Sequence, residues 1–273
     1  MSKQTTNRPL DRAIRERLKT VAVEAARRAG AILDEYARSG FRIDHKDALN
    51  LVTDADRHSE QAIVDAISRS FPDHEILAEE RGQAGSPSPF KWIIDPLDGT
   101  TNFAHGFPAY CVSIGLEYEG RGILGVVLDP TRQELFVGEA GSRATLNGKP
   151  IHVSRTPKLD GALLVTGFAY DIRVSKQNNL DHFANFAVRS QGLRRMGAAA
   201  IDLCYVACGR FDGFWELKLH PWDTAAGSVI VTEAGGRMSE FGGKPFSIYG
   251  QEMIASNGLI HEEMVEVLNR PSV

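Results

Sequence analysis

Residues 92–103 read Trp92-Ile93-Ile94-Asp95-Pro96-Leu97-Asp98-Gly99-Thr100-Thr101-Asn102-Phe103. An apolar strand is predicted to end at Asp95, where a proline imposes an extended turn and a second carboxylate follows at Asp98. Two anions this close repel each other unless a cation lies between them. Hard divalent cations prefer oxygen ligands, which Asp95, Asp98 and the Leu97 carbonyl can supply. The stretch therefore predicts a strand that leads into a metal site.

The residues after this turn indicate a phosphate site beside the metal. Gly99 lets the backbone approach a ligand closely. If a helix begins at Thr100, the N–H groups of Thr100 and Thr101 lack partners within the helix, and a helix N-terminus favours bound phosphate. The alternative is a plain surface turn, because every residue type in Asp-Pro-Leu-Asp-Gly favours turns.

Further carboxylates occur next to predicted strand and helix ends. Glu79 and Glu80 follow the apolar strand Ile76-Leu77-Ala78, which places them at a sheet edge, although a solvated acidic pair is the simpler interpretation. Asp223 precedes a predicted helix and is compatible with an N-cap. Asp56 falls in the first turn of another helix, where a carboxylate is favoured electrostatically. Each signal is weak alone, and their joint order along the chain is the informative feature.

The composition argues against several classes of partner. Hydrophobic residues make up 42% and charged residues 24% of the 273 residues, which is typical of a globular enzyme. The formal net charge of -4 and the sequence pI of about 6.1 leave no basic field for a nucleic acid or an anionic membrane. We therefore expect no membrane partner and no direct nucleic-acid partner. An acidic chain that binds phosphate needs metal ions or a local anion site.

The cysteines and the N-terminal residues predict a cytoplasmic protein. Cys111, Cys204 and Cys208 are too few for a disulfide framework, which is typical of a reducing compartment. The pair Cys204 and Cys208 lies in an apolar helical stretch and is interpreted as small buried hydrophobic residues. The first residues are polar and lack the apolar core of a signal peptide, and no apolar run is long enough to span a membrane.

Hydrophobic periodicity predicts a mixed first half and an alternating second half. The predicted helices span residues 11–36, 55–69, 180–188, 198–208 and 224–234. The predicted strands span residues 76–78, 92–94, 163–166 and 214–216, with more between 110 and 153. Residues 81–88 are rich in Gly, Ser and Pro and are predicted to form a mobile surface loop, and Asn147-Gly148 indicates a tight hairpin. We therefore divide the chain into an α+β half at 1–153 and an α/β half at 154–273.

In order and spacing, four segments resemble the successive signatures of the inositol monophosphatase family: residues 50–56, 78–80, 92–103 and 222–227. The Asp-Pro-Leu-Asp-Gly-Thr-Thr-Asn-Phe core with Trp-Asp-x-Ala-Ala-Gly downstream is highly specific. The resemblance implies a layered α/β/α/β/α sandwich of the sugar-phosphatase type, usually a homodimer. It also implies Mg²⁺-dependent, lithium-sensitive hydrolysis of a small phosphorylated metabolite, with two to three Mg²⁺ ions per subunit.

The resemblance also implies a role for each matching residue. The expected metal ligands are Glu79, Asp95, the Leu97 carbonyl, Asp98 and Asp223, with Glu79 and Asp95 counted among the catalytic residues. Thr100 and Asp56 match the pair that orients and deprotonates the attacking water. The expected substrate contacts are Asp98, Gly99, Thr100, Arg194, Gly197, Ala198, Ala199 and Glu216. Lys46 matches a family lysine that precedes the Asp56 helix.

Departures from the family pattern concern specificity. Lys218 stands where relatives often have glycine, so it either favours a second anionic group on the substrate or points to solvent. Ala198 lacks a hydroxyl that some relatives carry, and His220 is interpreted as a packing residue. Gly167 to Tyr170 resembles bacterial members. Inositol monophosphate ranks first as substrate, with fructose 1,6-bisphosphate, a 3′,5′-bisphosphorylated nucleotide and histidinol phosphate as alternatives. A regulatory or binding protein of the same fold is the alternative from a different class.

Overall fold

The computed structural model describes residues 10–45 and 51–271. Its α-helices are α1 (Arg12–Ser39), α2 (Asp54–Ser70), α3 (Thr100–Ala104), α4 (Leu180–Ala187), α5 (Ala199–Ala207), α6 (Pro221–Glu233) and α7 (His261–Leu268). Its first strands are β1 (Ile43–His45), β2 (Leu51–Thr53), β3 (Glu75–Ala78), β4 (Gly82–Ala84), β5 (Phe90–Asp98), β6 (Cys111–Tyr118), β7 (Arg121–Asp129) and β8 (Glu134–Glu139). The remaining strands are β9 (Thr145–Leu146), β10 (Lys149–Pro150), β11 (Leu163–Thr166), β12 (Gly192–Arg194), β13 (Gly213–Leu217), β14 (Arg237–Ser239) and β15 (Glu252–Ser256).

The strands after β2 form two sheets. The large sheet has the order β10-β9-β8-β7-β6-β5-β3-β4, and the small sheet has the order β12-β11-β13-β15-β14. Neighbours in the large sheet are antiparallel except β3 and β5, while β11 is parallel to both β12 and β13. The strands of the large sheet all precede residue 151 and those of the small sheet all follow residue 162. The division of the chain at residue 153 stays a prediction.

Helices cover both sheets and separate them. Helices α1 and α2 pack on one face of the large sheet, against β5, β6 and β7. Helices α5 and α6 lie between the sheets, and α4 and α7 pack on the outer face of the small sheet. This arrangement is the layered α/β/α/β/α sandwich that the resemblance implies, so the predicted fold class is confirmed.

The predicted helices are confirmed, whereas two strand predictions need correction. The strand predicted to end at Asp95 continues to Asp98, because Asp98 pairs with Cys111 after an irregularity in the β5–β6 register. Pro96, which has no N–H group, lies inside this irregularity, where a ladder hydrogen bond is not needed. The loop predicted at 81–88 contains the short strand β4, which pairs with β3. In the described residues 10–45 and 51–271, no helix is long and apolar enough to cross a bilayer.

A row of three glycines brings α6 onto the backbone of the large sheet. Gly115, Gly125 and Gly138 lie opposite one another on β6, β7 and β8. A Cβ atom on Gly125 would lie 2.1 Å from the Ala226 carbonyl oxygen, and one on Gly138 would lie 2.8 Å from the Ile230 Cα. Any larger residue in the row would push the helix away from the sheet. The row therefore fixes the position of α6 and of Asp223 in its first turn.

Replacing Gly125 by alanine should destabilise the protein by about 1–3 kcal/mol, because the added methyl group overlaps backbone atoms that cannot move freely. Chemical denaturation of the Gly125→Ala variant measures this loss. Gly242→Ala is the matched control, since nothing lies within 4 Å of a Cβ built there. Equal stability of the two variants would show that the glycine row does not set the position of α6.

Candidate active site

Parallel pairing of β3 and β5 places Glu79 beside Asp95. Ala78 pairs with Ile94, so the carboxyl ends of both strands meet at one edge of the large sheet. The backbone N–H of Glu79 continues this ladder and donates to the Ile94 carbonyl oxygen at 3.1 Å. The next residue on each strand is therefore a carboxylate. The predicted position of Glu79 at a sheet edge is confirmed.

Backbone N–H groups hold the other three carboxylates in place. The Leu97 N–H donates to Asp95 Oδ1 at 3.0 Å, and the Ala200 N–H at the start of α5 donates to Asp98 Oδ2 at 2.6 Å. Asp223 lies in the first turn of α6 and accepts from the His220 N–H at 2.6 Å. These contacts come from three different elements. The site therefore depends on the packing of α5 and α6 against the large sheet.

The charged forms of Asp95, Asp98 and Asp223 are destabilised by burial and by the negative charges around them, including that of Glu79. Burial, and then the negative charges of Glu79, Asp98 and Asp223, raise the pKa of Asp95 well above its usual range. Burial raises the pKa of Asp98 to about 6, although the Ala200 N–H opposes this shift. Loss of solvent and then repulsion from Asp98 raise the pKa of Asp223. The four groups thus form one cluster of interacting anions, which a cation would stabilise.

The donor set fits a hard divalent cation by its chemistry. Carboxylate and carbonyl oxygens are the ligands that Mg²⁺ prefers, and Asp95, Asp98 and the Leu97 carbonyl lie on one short stretch of chain. Within residues 10–45 and 51–271, no three His, Cys, Asp or Glu side chains are arranged so that they could hold a metal ion as they stand. The residues therefore fit Mg²⁺ because they offer oxygen ligands and negative charges that repel one another, and not because their side chains already form a coordination shell.

Asp56 and Thr100 form a hydrogen-bonded pair next to this cluster. Asp56 Oδ2 accepts from the Thr53 N–H at 2.7 Å and from Thr53 Oγ1 at 2.6 Å, which closes a capping box at the start of α2. The Thr100 hydroxyl lies 3.0 Å from both Asp56 Oδ1 and the Leu97 carbonyl oxygen. Burial raises the pKa of Asp56 to about 6, against the effect of the Thr53 hydrogen bonds. The interpretation of Asp56 as a carboxylate in the first turn of a helix is therefore confirmed, with Thr53 as the N-cap, and the Oδ1 atom of Asp56 makes a different contact, to Thr100.

Gly99 connects β5 to α3 in a backbone conformation that favours glycine. Its φ of +92° lies in the left-handed region, and a Cβ there would lie 2.8 Å from the Ala109 carbonyl oxygen. Helix α3 begins at Thr100, as predicted. The side chain of Asn102 extends this connection to the second half of the chain, because Nδ2 donates to the carbonyl oxygens of Ala109 and Met196 at 2.7 and 2.8 Å.

A cavity of about 390 Å³ opens beside the carboxylate cluster. Six of the residues predicted for the site line it: Asp98, Gly197, Ala198, Ala199, Glu216 and Asp223. Thr101 lines it on the α3 side, whereas Gly99 and Thr100 are not among its lining residues. The structure therefore brings metal-ligand candidates and substrate candidates to one space.

Glu216 is the residue before the last of β13, lines this cavity and is 8% exposed. Burial raises the pKa of Glu216 to about 8, and the positive charge of Arg195 opposes this shift. A Cβ on Gly167 would lie 2.3 Å from both carboxylate oxygens of Glu216, so only glycine leaves room for this side chain. Neither Arg195 nor Gly167 was predicted from the sequence to take part in the site. Arg195 is the neighbour of Arg194 in the sequence, but Arg194 is the last residue of β12 and does not line the cavity, whereas Arg195 follows the strand and does.

The other predicted residues lie farther from the cavity or contact other groups. Arg194 is exposed, donates to the Leu193 carbonyl oxygen at 2.9 Å and does not line the cavity. His220 stacks on Trp222 with ring centroids 4.7 Å apart, in agreement with its interpretation as a packing residue. Lys218 lies at the rim of the cavity but is hydrogen-bonded to Asp171. Lys46 lies outside the described residues.

Comparisons with known proteins identify the family of the chain. The model of the inositol monophosphatase family matches residues 14–271. The chain is 50% identical over 250 residues to an inositol-1-monophosphatase of Synechocystis sp., covering 91% of this chain and 87% of the relative. It is 45% identical over 249 residues to the Nus factor SuhB of Pseudomonas aeruginosa, covering 87% and 90% of the two chains.

Solved structures show the same fold. The inositol monophosphatase of Anabaena (Nostoc) sp. superposes with a TM-score of 0.85 at 44% identity, covering 93% of this chain and 96% of that chain. An inositol monophosphatase/NADP phosphatase in complex with Mg²⁺ and phosphate superposes with a TM-score of 0.83 at 25% identity, covering 94% and 97%. The Mg²⁺ and phosphate bound in this last structure support a Mg²⁺ requirement for this fold. Because the family match extends over nearly the whole chain and includes relatives of high identity, the chain belongs to the inositol monophosphatase family and is a phosphoric monoester hydrolase.

Proposed function

We propose that the chain is a Mg²⁺-dependent phosphomonoesterase whose substrate is inositol monophosphate. The observation that carries this proposal is the cluster of Glu79, Asp95, Asp98 and Asp223, two of which, Asp98 and Asp223, line a cavity together with Glu216. Burial and the neighbouring negative charges raise the pKa of Asp95 and Asp223, and Asp98 and Asp223 line the space where a substrate fits. The 50% identity to an inositol-1-monophosphatase supports the choice of substrate.

Five groups would hold the metal: the side chains of Glu79, Asp95, Asp98 and Asp223, and the Leu97 carbonyl oxygen. When bound, Mg²⁺ supplies the positive charge that a phosphate ester needs and makes water a stronger acid. The backbone N–H donors on Asp95, Asp98 and Asp223 limit how far these carboxylates can turn. The number of two to three ions per subunit stays a prediction.

Asp56 and Thr100 would prepare the attacking water. The Thr100 hydroxyl bridges Asp56 and the Leu97 carbonyl, so it lies between the base and the metal-ligand candidates. A carboxylate with a pKa near 6 is ionised at neutral pH yet accepts a proton more readily than an ordinary aspartate. Thr53 fixes the other carboxylate oxygen, which keeps Oδ1 directed at Thr100. The pair can therefore orient a water molecule and take its proton.

Glu216 and the residues 197–199 would bind the polyol part of the substrate. The buried carboxyl group of Glu216 can form strong hydrogen bonds with substrate hydroxyl groups, because little water competes for them. Gly99 and Thr100 would contact the phosphate group through their N–H groups. Ala198 contributes no hydroxyl, so one hydrogen bond found in some relatives is absent. The cavity volume suits a substrate the size of a sugar phosphate.

The same proposal includes a cytoplasmic location, which is based on the cysteines and the polar first residues, and a homodimer and inhibition by Li⁺, which come from the family resemblance. Arg194 is exposed and would face the partner subunit and not the substrate. The identity to a Nus factor supports a binding role in addition to catalysis. The complete set of carboxylates at the site favours an enzyme, since a protein used only for binding would not need them.

Inorganic phosphate release tests the proposed function. We expect Mg²⁺-dependent release from inositol 1-phosphate at a higher kcat/KM than from fructose 1,6-bisphosphate, 3′-phosphoadenosine 5′-phosphate or histidinol phosphate. EDTA should abolish it, and Asp95→Asn should lower it at least ~100-fold, because one shared ligand charge is lost. Asp160→Asn, at an exposed position, is the matched control. Release from none of the four compounds would contradict the proposal and favour the binding role.

Gly167→Ala tests the assignment of Glu216 to substrate binding. The added Cβ would overlap both Glu216 oxygens and displace the carboxylate from the cavity. We expect KM for inositol 1-phosphate to rise about tenfold with a smaller change in kcat, because binding is lost while the metal ligands stay in place. Gly161→Ala is the matched control, since the nearest atom to its Cβ is 3.9 Å away. An unchanged KM in Gly167→Ala would remove Glu216 from the substrate site.

A further inference from the structure

The loop between β11 and α4 forms one wall of the cavity, and we call residues 167–178 the rim segment. Its members that line the cavity are Gly167, Phe168, Ala169, Tyr170 and Asp171. The Asn179 side chain joins the two ends of the segment, because its Nδ2 donates to the Gly167 carbonyl oxygen at 2.8 Å. Tyr170 lines the same cavity as Asp98 and Asp223, and there the loss of solvent and then the negative charges of Glu79 and Asp98 raise its pKa.

Lys218 connects the middle of the rim segment to the end of β13. Its Nζ donates to Asp171 Oδ2 at 2.6 Å and to Ser175 Oγ at 2.8 Å. The backbone of Lys218 is held as well, since its N–H donates to the Gln251 carbonyl oxygen at 2.7 Å. Its φ of +61° lies in the left-handed region, which is uncommon for a residue with a side chain. Such a conformation persists where the surrounding contacts require it.

We propose that Lys218, Asp171 and Ser175 form a latch that holds the rim segment against the cavity and selects substrates with a single phosphate group. The negative charge of Asp171 balances the positive charge of Lys218. The latch therefore has no net positive charge that would attract a second phosphate group on the substrate. An unpaired lysine at this rim would attract a second phosphate group. With Lys218 paired to Asp171, the second phosphate of a bisphosphate finds no such charge and is repelled by the carboxylate cluster. The selection of substrates rests on the proposed function; the positioning of the segment does not.

Limited trypsin digestion tests the positioning of the rim segment. Arg173 and Lys176 are exposed within it and are trypsin sites. In Lys218→Met, which keeps a long side chain without the charge, cleavage after these two residues should be about fivefold faster than in the wild type, because the segment opens more often. The exposed Lys158→Met is the matched control and should match the wild type. An unchanged cleavage rate in Lys218→Met at an unchanged Tm would overturn the latch.

The ratio of kcat/KM for fructose 1,6-bisphosphate to that for inositol 1-phosphate tests the selection of substrates. Asp171→Asn frees the charge of Lys218, so this ratio should rise about fivefold at low salt. It should not rise in Lys218→Met or in the double variant, because the positive charge is then absent. An unchanged ratio in Asp171→Asn, or an equal rise in Lys218→Met, would overturn the selection. If no variant releases phosphate, the proposed function fails, and the trypsin result still decides the latch.

Discussion

Repulsion among Glu79, Asp95, Asp98 and Asp223 is the constraint on which the site depends. Burial and the neighbouring negative charges raise the pKa of Asp95, Asp98 and Asp223, yet backbone N–H groups hold these three carboxylates in place. The fold supplies the free energy for this arrangement through the burial of its three apolar clusters. A divalent cation removes the repulsion, so the same arrangement that weakens the protein prepares it to bind metal.

Close packing by glycine places the parts of the site. The glycine row on β6, β7 and β8 lets α6 lie on the sheet backbone, which fixes Asp223 relative to Asp95. On the small sheet, Gly167 leaves the space that the carboxylate of Glu216 occupies. In both places, the glycine row and Gly167, the missing side chain makes the close contact possible. Carboxylates that are metal-ligand candidates and the substrate candidate Glu216 can therefore line one cavity.

The sequence predicts the elements and the carboxylates because both have local signals. Helical periodicity in α1 and the Asp-Pro-Leu-Asp-Gly stretch are visible without any knowledge of neighbours in space. The glycine row is not, because Gly115, Gly125 and Gly138 meet only through the register of three strands. The partner of Lys218 is hidden for the same reason, since Asp171 lies 47 residues away along the chain.

Thermal unfolding of Asp95→Asn tests the central claim most directly, because the amide oxygen can still accept from the Leu97 N–H while the charge is lost. The pKa of Asp95 is raised in the folded state, so its ionisation lowers stability as the pH rises above about 4. In EDTA at pH 8 we expect the variant to melt about 2–4 °C above the wild type. Added Mg²⁺ should raise the Tm of the wild type and not that of the variant. The account would be contradicted if the variant had a lower Tm than the wild type in EDTA, or if Mg²⁺ raised the Tm of the variant as much as that of the wild type.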